Sequence, residues 1–403
     1  MRVSPVGAGF RIVMVAAGAC AVSGTGVRGQ EAGSGSGGDG ASADSIVFGQ
    51  SAAFSGFAVD LGSNMHLGVL AAFEEANRTG GIHGRVLRLI TEDDRYEGEL
   101  AIANTRKLIA DGVFALIGAV GTPTSRVAWG IASDARVPYI GAFTGAGLLR
   151  GADQPWVVNL RASYIQETEE MVARLTEDLG FSRIAIFYQD DSYGHAGLTG
   201  VRQALDKRDL PLVGQGTYVR NTAAVKRALL DIRESDPEAI ITIGAYRAAA
   251  QFILWAKKLG MRAIHLNVSF VGSNSLLDEL GGDGDGVVVT QVVPFPRDTE
   301  LPVVRDYQAA IRQVDASAQP GFVSLEGYLA GRLVVEALRA SSEPGGPPPT
   351  REAFLQWLVD VGPYDLGGFE IEYGPGDNQG SDRVFLTEIR QGRFVPITEL
   401  RRR

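Results

Sequence analysis

From Ile46 onward, short apolar runs alternate with amphipathic stretches of ten residues or more, and no other feature narrows the possible folds as much. Ile46–Gly49, Val86–Thr91, Val113–Ile117 and Val137–Gly141 read as strands, with helices over Ser63–Arg78, Leu100–Asp111 and Pro123–Ser133 between them. In the first helix Leu67, Leu70, Ala71 and Phe73–Ala76 make one apolar face, and Gly80-Gly81 ends it. Strands separated by helices imply βαβ units and parallel sheets. The pattern then restarts. Helices over Arg161–Leu179, His195–Arg208, Thr222–Glu234 and Ala248–Leu259 alternate with strands at Arg183–Tyr188, Leu212–Tyr218, Ala239–Ile243 and Ile264–Val268. A short helix near Leu276–Leu280 and a strand at Val287–Val292 close this second run. The expected fold class is therefore α/β, with two doubly wound parallel-sheet lobes.

A length of 403 residues suits two domains of ordinary size. The remaining helices (Val303–Val314, Phe322–Ala340, Arg351–Val359) and strands (Phe369–Tyr373, Arg383–Ile397 with a turn at Gln391-Gly392) need existing sheets to pack on. The economical path assigns 46–160 and 294–364 to lobe 1 and 161–293 and 365–403 to lobe 2. It crosses between them near Asn159–Ala162, Thr290–Pro296 and Pro363–Phe369. Three such strands make a hinge, a known route to closure around a ligand.

The first twenty residues read as an export signal. Arg2 and Arg11 precede a short apolar run, Ile12–Ala19, that ends in small residues. The run is too short to span a bilayer, and nothing later supplies the roughly 18 apolar residues a span needs. The chain's single cysteine, Cys20, follows Ala17-Gly18-Ala19, which supports two readings. The segment resembles a bacterial lipobox, with Ala17 in place of the usual leucine, which would make Cys20 a lipidation site. It is equally an A-x-A cleavage site for a soluble periplasmic product. Either way the chain is expected outside the cytoplasm, touching membrane only through a lipid. Residues 21–45 are Gly/Ser-rich and read as a flexible tether. Their G-x-G-x-x-G match at Gly33, Gly35 and Gly38 has no strand before it and no helix after it, so it is no dinucleotide site.

A net charge of −9 without a basic stripe excludes nucleic acid as a partner. The four histidines fall in separate segments with no metal-ligand spacing, so no metal and no cofactor is expected. There is no G-x-S-x-G elbow and no Walker A loop. Glu92-Asp93-Asp94 reads as a solvated strand end, and Asp283-Gly-Asp285-Gly286 as a turn, lacking the later bidentate glutamate of a calcium loop. Catalytic residues are not expected.

Five segments carry a more specific signal: Gly49-Gln-Ser-Ala-Ala-Phe-Ser-Gly56, Asn77-Arg-Thr-Gly-Gly-Ile-His-Gly84, Asp190-Asp-Ser-Tyr-Gly194, Phe270-Val-Gly-Ser-Asn274 and Thr290-Gln-Val-Val-Pro-Phe-Pro296. Together they resemble the type I periplasmic binding proteins of ABC transporters, in the leucine/isoleucine/valine-binding branch, collinearly from Ile46 to Pro396. The resemblance implies two lobes on a three-strand hinge, with a solute buried between them and an inner-membrane ABC permease as partner. It places the solute's carboxylate at the loops after the third and fourth strands, on Thr122, Thr124, Ala142 and Thr144, while the Ser125 hydroxyl adds a donor and Phe143 and Ser55 are further candidate ligand-binding residues. The physical logic agrees, because first-turn amides and the positive helix end favour an anion there. A plain helix N-cap remains the alternative for Thr122. From lobe 2 the resemblance implies Tyr193 and Tyr246, each an apolar ring with a hydroxyl handle, though packing alone would also explain a tyrosine after a strand. Branched-chain amino-acid binders place a glutamate against the ligand's ammonium in the loop that matches Gly272–Asn274. Here the residue is Asn274, which suits an amide or a neutral solute, with Asp190 or Asp191 as substitute charges. The implied solute is thus a small amino acid, amide or carboxylic acid. A sensor for a signalling partner and, less well supported, a periplasmic amidase or hydrolase remain as alternatives.

Overall fold

Central strands of a parallel sheet are buried on both faces, so they need unbroken apolar runs rather than alternation. Ile184-Ala-Ile-Phe-Tyr188 and Ala239-Ile-Ile-Thr-Ile243 are such runs, and every residue in them is buried. They lie in one of two sheets in the computed structural model, which describes residues 40–402. The expected signal segment, Cys20 with its expected lipidation, and most of the expected tether lie outside the described residues.

The first lobe is built on β1 (Ser45–Ala52), β2 (Val86–Asp93), β3 (Ala115–Ile117), β4 (Tyr139–Ile140) and β5 (Val157–Val158), with α1 (Val59–Arg78), α2 (Gly98–Ala110) and α3 (Thr122–Asp134) as crossovers. Its five strands are parallel, in the order β2-β1-β3-β4-β5. The second lobe contains α4 (Tyr164–Glu177), β6 (Ile184–Gln189), α5 (Ser192–Asp206), β7 (Leu212–Tyr218), α6 (Lys226–Glu234), β8 (Ala239–Ile243), α7 (Tyr246–Lys258), β9 (Ile264–Asn267), α8 (Ser273–Leu280) and β10 (Val288–Gln291). The parallel strands of its sheet run β7-β6-β8-β9-β10, the same winding as the first lobe. The chain returns to the first lobe as α9 (Pro302–Val314) and α10 (Phe322–Ala340), both packed on α1, followed by α11 (Arg351–Asp360) and the small ladder β11 (Tyr364–Asp365) with β12 (Glu370–Ile371). It ends as β13 (Phe385–Arg390) and β14 (Arg393–Ile397), antiparallel additions beside β10. Glycines allow α1 and α10 to touch: a Cβ on Gly68 would sit 2.0 Å from the Ser324 carbonyl, and one on Gly327 would sit 2.3 Å from that of Met65. Among the described residues no helix is long and apolar enough to cross a membrane.

Three departures from the sequence reading bear on the site. The stretch through Ser45, expected to be tether, is already structured at its end: Gly40 accepts from the Val47 amide at 2.9 Å, Ala41 bridges to Ile46, and β1 starts at Ser45. The helix expected from Arg161 begins instead at Tyr164. Ser163 and Gln166 form a reciprocal capping box, which ends helical geometry there and leaves Arg161 in the inter-lobe passage. The third passage runs through Asn378–Gly380, where Gln379 bridges to Asn159 and the Tyr373 hydroxyl donates to the Asn159 carbonyl. It therefore lies beyond the Pro363–Phe369 stretch expected, because β11 and β12 pair with each other and stay beside α9, with Gly367 accepting from the Val303 amide.

Candidate functional site

In an open parallel sheet ligands sit beyond the carboxyl ends of the strands, where the strand order reverses. In both lobes that reversal lies at the first strand, between its two neighbours. The loops after β1, β3, β6 and β8 carry Ser55, Thr122, Tyr193 and Tyr246 at or just beyond their ends. Local winding alone brings these four segments to the facing edges of the lobes.

On the first lobe's edge the N-cap of α3 is Gly121, whose φ of +97° favours glycine and whose missing side chain leaves the Thr122 and Thr124 amides without a side-chain acceptor from the N-cap, Pro123 between them having no amide to offer. A Cβ at Gly121 would lie 2.1 Å from the Tyr96 ring, so the same glycine lets that ring press on the loop. The Thr122 and Thr144 hydroxyls meet at 2.7 Å, both fully buried, with Tyr164 Oη 3.4 Å from Thr144 Oγ1. Ala142 and Phe143 lie in the same buried loop, which Arg150 braces from behind by donating to the carbonyls of Thr144 and Ala146. Thr124 and Ser125 point elsewhere. Thr124 donates to the Val120 carbonyl at 2.5 Å, and Ser125 accepts from the Tyr139 hydroxyl inside the lobe. Ser55, half-buried, donates to Asp93 at 2.5 Å.

The acidic strand end is not simply solvated, as the sequence suggested. Glu92 pairs outward with Lys107, and Asp93 with the exposed Arg95 guanidinium at 3.7 Å. Burial alone would raise the Asp93 carboxyl, but donors from Ser55, Arg95 and Phe54 outweigh it and hold it below its usual value. Asp94 is buried and accepts from Ser51 and from the Tyr96 amide. Burial pushes its pKa up to about 6. These carboxylates tie the loops after β1 and β2 together.

On the second lobe's edge Asp191 caps α5 by accepting from the Tyr193 amide at 2.9 Å, which sets the Tyr193 ring inward. The ring lies 5.4 Å from that of Tyr164 and 4.5 Å from that of Phe270. Burial raises its phenol well above the ordinary value, so it stays a neutral donor. Tyr246 is buried at the start of α7, its phenol pushed up to about 12 first by burial and then by Asp60 of the first lobe. Asn274 is not brought to the Thr144–Tyr193 seam. It lies in the first turn of α8 and donates to the Pro320 carbonyl at 3.2 Å.

The seam also holds residues that sequence reasoning missed. The Phe270 ring stacks on Phe143 at 5.1 Å and approaches Tyr96 at 6.1 Å. Arg161, about 1% exposed, places its guanidinium 5.3 Å from the Phe143 centroid. It donates to Glu167 at 2.7 Å and to Ser269, and lies 3.5 Å from Glu326 on α10. Glu167 is further satisfied by the Ser269 amide at 2.8 Å and the Thr290 hydroxyl at 2.6 Å. Burial disfavours the Arg161 charge, but Glu326 and Glu167 outweigh it and raise its pKa. Glu326 is pushed up to about 7, chiefly by burial. The one local hint was a charged residue two positions before a capping box, which a helical reading of Arg161 hid. Among the described residues no cluster of three or more His, Cys, Asp or Glu side chains is placed to hold a metal ion.

Two wound lobes with facing loop edges define a solute-binding fold, and comparison with known proteins agrees. The sequence model of the periplasmic binding protein family matches residues 45–393, and the chain belongs to that family. A possible leucine/isoleucine/valine-binding protein from Rhodopirellula baltica SH 1 is 37% identical, superposes with a TM-score of 0.83, and aligns over 88% of this chain and 97% of its own. Leu/Ile/Val-binding protein homolog 7 of Brucella abortus (strain 2308) is 25% identical over 74% of this chain and 77% of its own. A branched chain amino acid ABC transporter from Thermus thermophilus with bound valine shares the fold at 19% identity, with a TM-score of 0.78 and coverage of 88% and 96%. Proteins of this family bind substrates rather than transform them, and the chain is a periplasmic solute-binding protein of the Leu/Ile/Val-binding type.

Proposed function

We propose that the chain captures a small amino-acid-like or carboxylate-bearing solute between its lobes and delivers it to an ABC importer, without catalysing a reaction. The observation that carries this reading is the seam itself. The Thr122–Thr144 hydroxyl pair and the uncapped start of α3 face the side that carries Tyr193, all of it buried. An anionic group suits the helix start and the hydroxyls, and a neutral phenol can close over it. Relatives described as Leu/Ile/Val-binding proteins support an amino-acid-like solute, and the transporter with bound valine supports the importer role.

The test is a thermal-shift and calorimetric screen of the exported protein against amino acids, small carboxylic acids, amides and nucleosides. A binder at 100 times its Kd stabilises the protein by about 2.7 kcal/mol, a readable shift. With a hit in hand, Thr144→Ala and Tyr193→Ala are each expected to weaken binding about tenfold, or about 1.4 kcal/mol. Wild-type affinity in both variants would move the solute away from this seam.

A further inference from the structure

We propose that Phe270 sets the size limit of the solute. Its ring stands where a solute's side group would enter, so the protein accepts small carboxylates and amino acids and rejects those bearing a ring. This inference rests on the cleft reading above and deepens it. Phe270 reaches across the seam from the second lobe and lies between Phe143 of the carboxylate loop and Tyr193 of the opposite edge. Its centroids are 5.1 Å and 4.5 Å from theirs. Those are contact distances for aromatic pairs, so no second ring fits between Phe270 and either neighbour. Tyr96 closes the third side at 6.1 Å.

The backbone that carries the ring is also held. Glu167 accepts from the Ser269 amide and hydroxyl, at 2.8 and 3.0 Å, and the Val271 amide donates to the Val268 carbonyl. Gly272 follows at φ +81°, where a Cβ would meet Leu61 of α1 at 2.4 Å. The turn therefore has little freedom to withdraw the ring while the lobes are closed, and the limit acts in the state that retains the solute. Removing the ring leaves a slot lined by aromatic side chains. A dry apolar cavity of benzene size binds benzene-like groups when one is engineered into a protein core.

Calorimetry with pairs that differ only by a phenyl ring tests this: alanine against phenylalanine, and propionate against 3-phenylpropionate. Wild type is expected to favour the small member of at least one pair tenfold or more. Phe270→Ala is expected to shift that ratio at least tenfold toward the ring-bearing member, and Phe270→Leu, which keeps most of the packing, to shift it part of the way. Wild-type binding of the ring-bearing member as tightly as the small one overturns the proposal, as does an unchanged ratio in both variants or no binding of either pair by any of the three proteins. Thr144→Ala separates this from the cleft reading. If it weakens binding of the small solute about tenfold or more while the Phe270 variants keep the wild-type ratio, the site stands and the size limit falls. If Thr144→Ala binds normally, the cleft reading fails first.

Discussion

Two arginines join the lobes with nearly the same geometry in opposite surroundings. In the passage between the lobes, Arg161 reaches Glu167 at 2.7 Å, with both side chains almost wholly buried. At the rim, Arg220, just past β7, reaches Glu97 at the start of α2, also at 2.7 Å, with 26% and 44% of the side chains exposed. Arg220 also pairs with Asp191 at 3.2 Å and lies over the Tyr96 ring, while the neighbouring Asn221 donates to Glu97. Burial separates their roles. A charge taken out of water must keep its partners, so the Arg161 cluster, which spans Glu167 on α4 and Glu326 on α10, fixes the pivot. A hydrated pair is exchanged for water at little cost, so the Arg220 contacts suit a rim that opens and closes.

The sharpest way to break this comparison is to remove the buried cation. Arg161→Ala strands Glu167 and Glu326, and about 3–5 kcal/mol of stability is expected to be lost, read from the shift of the urea unfolding midpoint. A loss under about 1 kcal/mol would show that the two arginines are energetically alike. A smaller effect comes from pH. The folded-state pKa of Glu326, up to about 7, lies above its ordinary 4.5. The folded chain therefore holds that proton more tightly. The contribution to stability is complete below pH 4.5 and is lost as pH rises through about 7, by at most about 1.4 kcal/mol per pH unit. His265 acts in the opposite sense: burial, then Lys257, lowers it to about 3, so its contribution is lost as pH falls below 6.5. Comparing wild type with Glu326→Gln cancels the histidine. The difference in melting temperature between them should change steadily from pH 4.5 to 7, and a flat difference would remove Glu326 from the account. The smallest effect belongs to the rim, where Arg220→Ala is expected to cost about 1 kcal/mol or less and to speed release of a bound solute at low salt but hardly at high salt. A salt-independent change, or one as large as that of Arg161→Ala, would erase the distinction.

The candidate site was legible to unequal degrees. Thr122, Thr144 and Tyr193 were readable because each follows a strand end in a βαβ unit, and the winding carries such loops to one edge. Thr124 and Ser125 share that position in sequence, but their hydroxyls are spent inside the first lobe on Val120 and Tyr139. In the Phe270–Asn274 segment the sequence points to Asn274 for recognition, whereas the residue that enters the seam is Phe270.

By itself the sequence determined the α/β class, the two windings and the loops that reach the cleft, because hydrophobic period, glycine stops and capping residues act within a few positions of each other. Only the tertiary structure decided that Arg161 would meet Ser269, 108 positions away, and that Phe270 would stack on Phe143. Those pairings rest on how two separately wound lobes close on each other. The physical reason is that contact across the seam depends on shape and burial summed over both lobes, which no local period encodes.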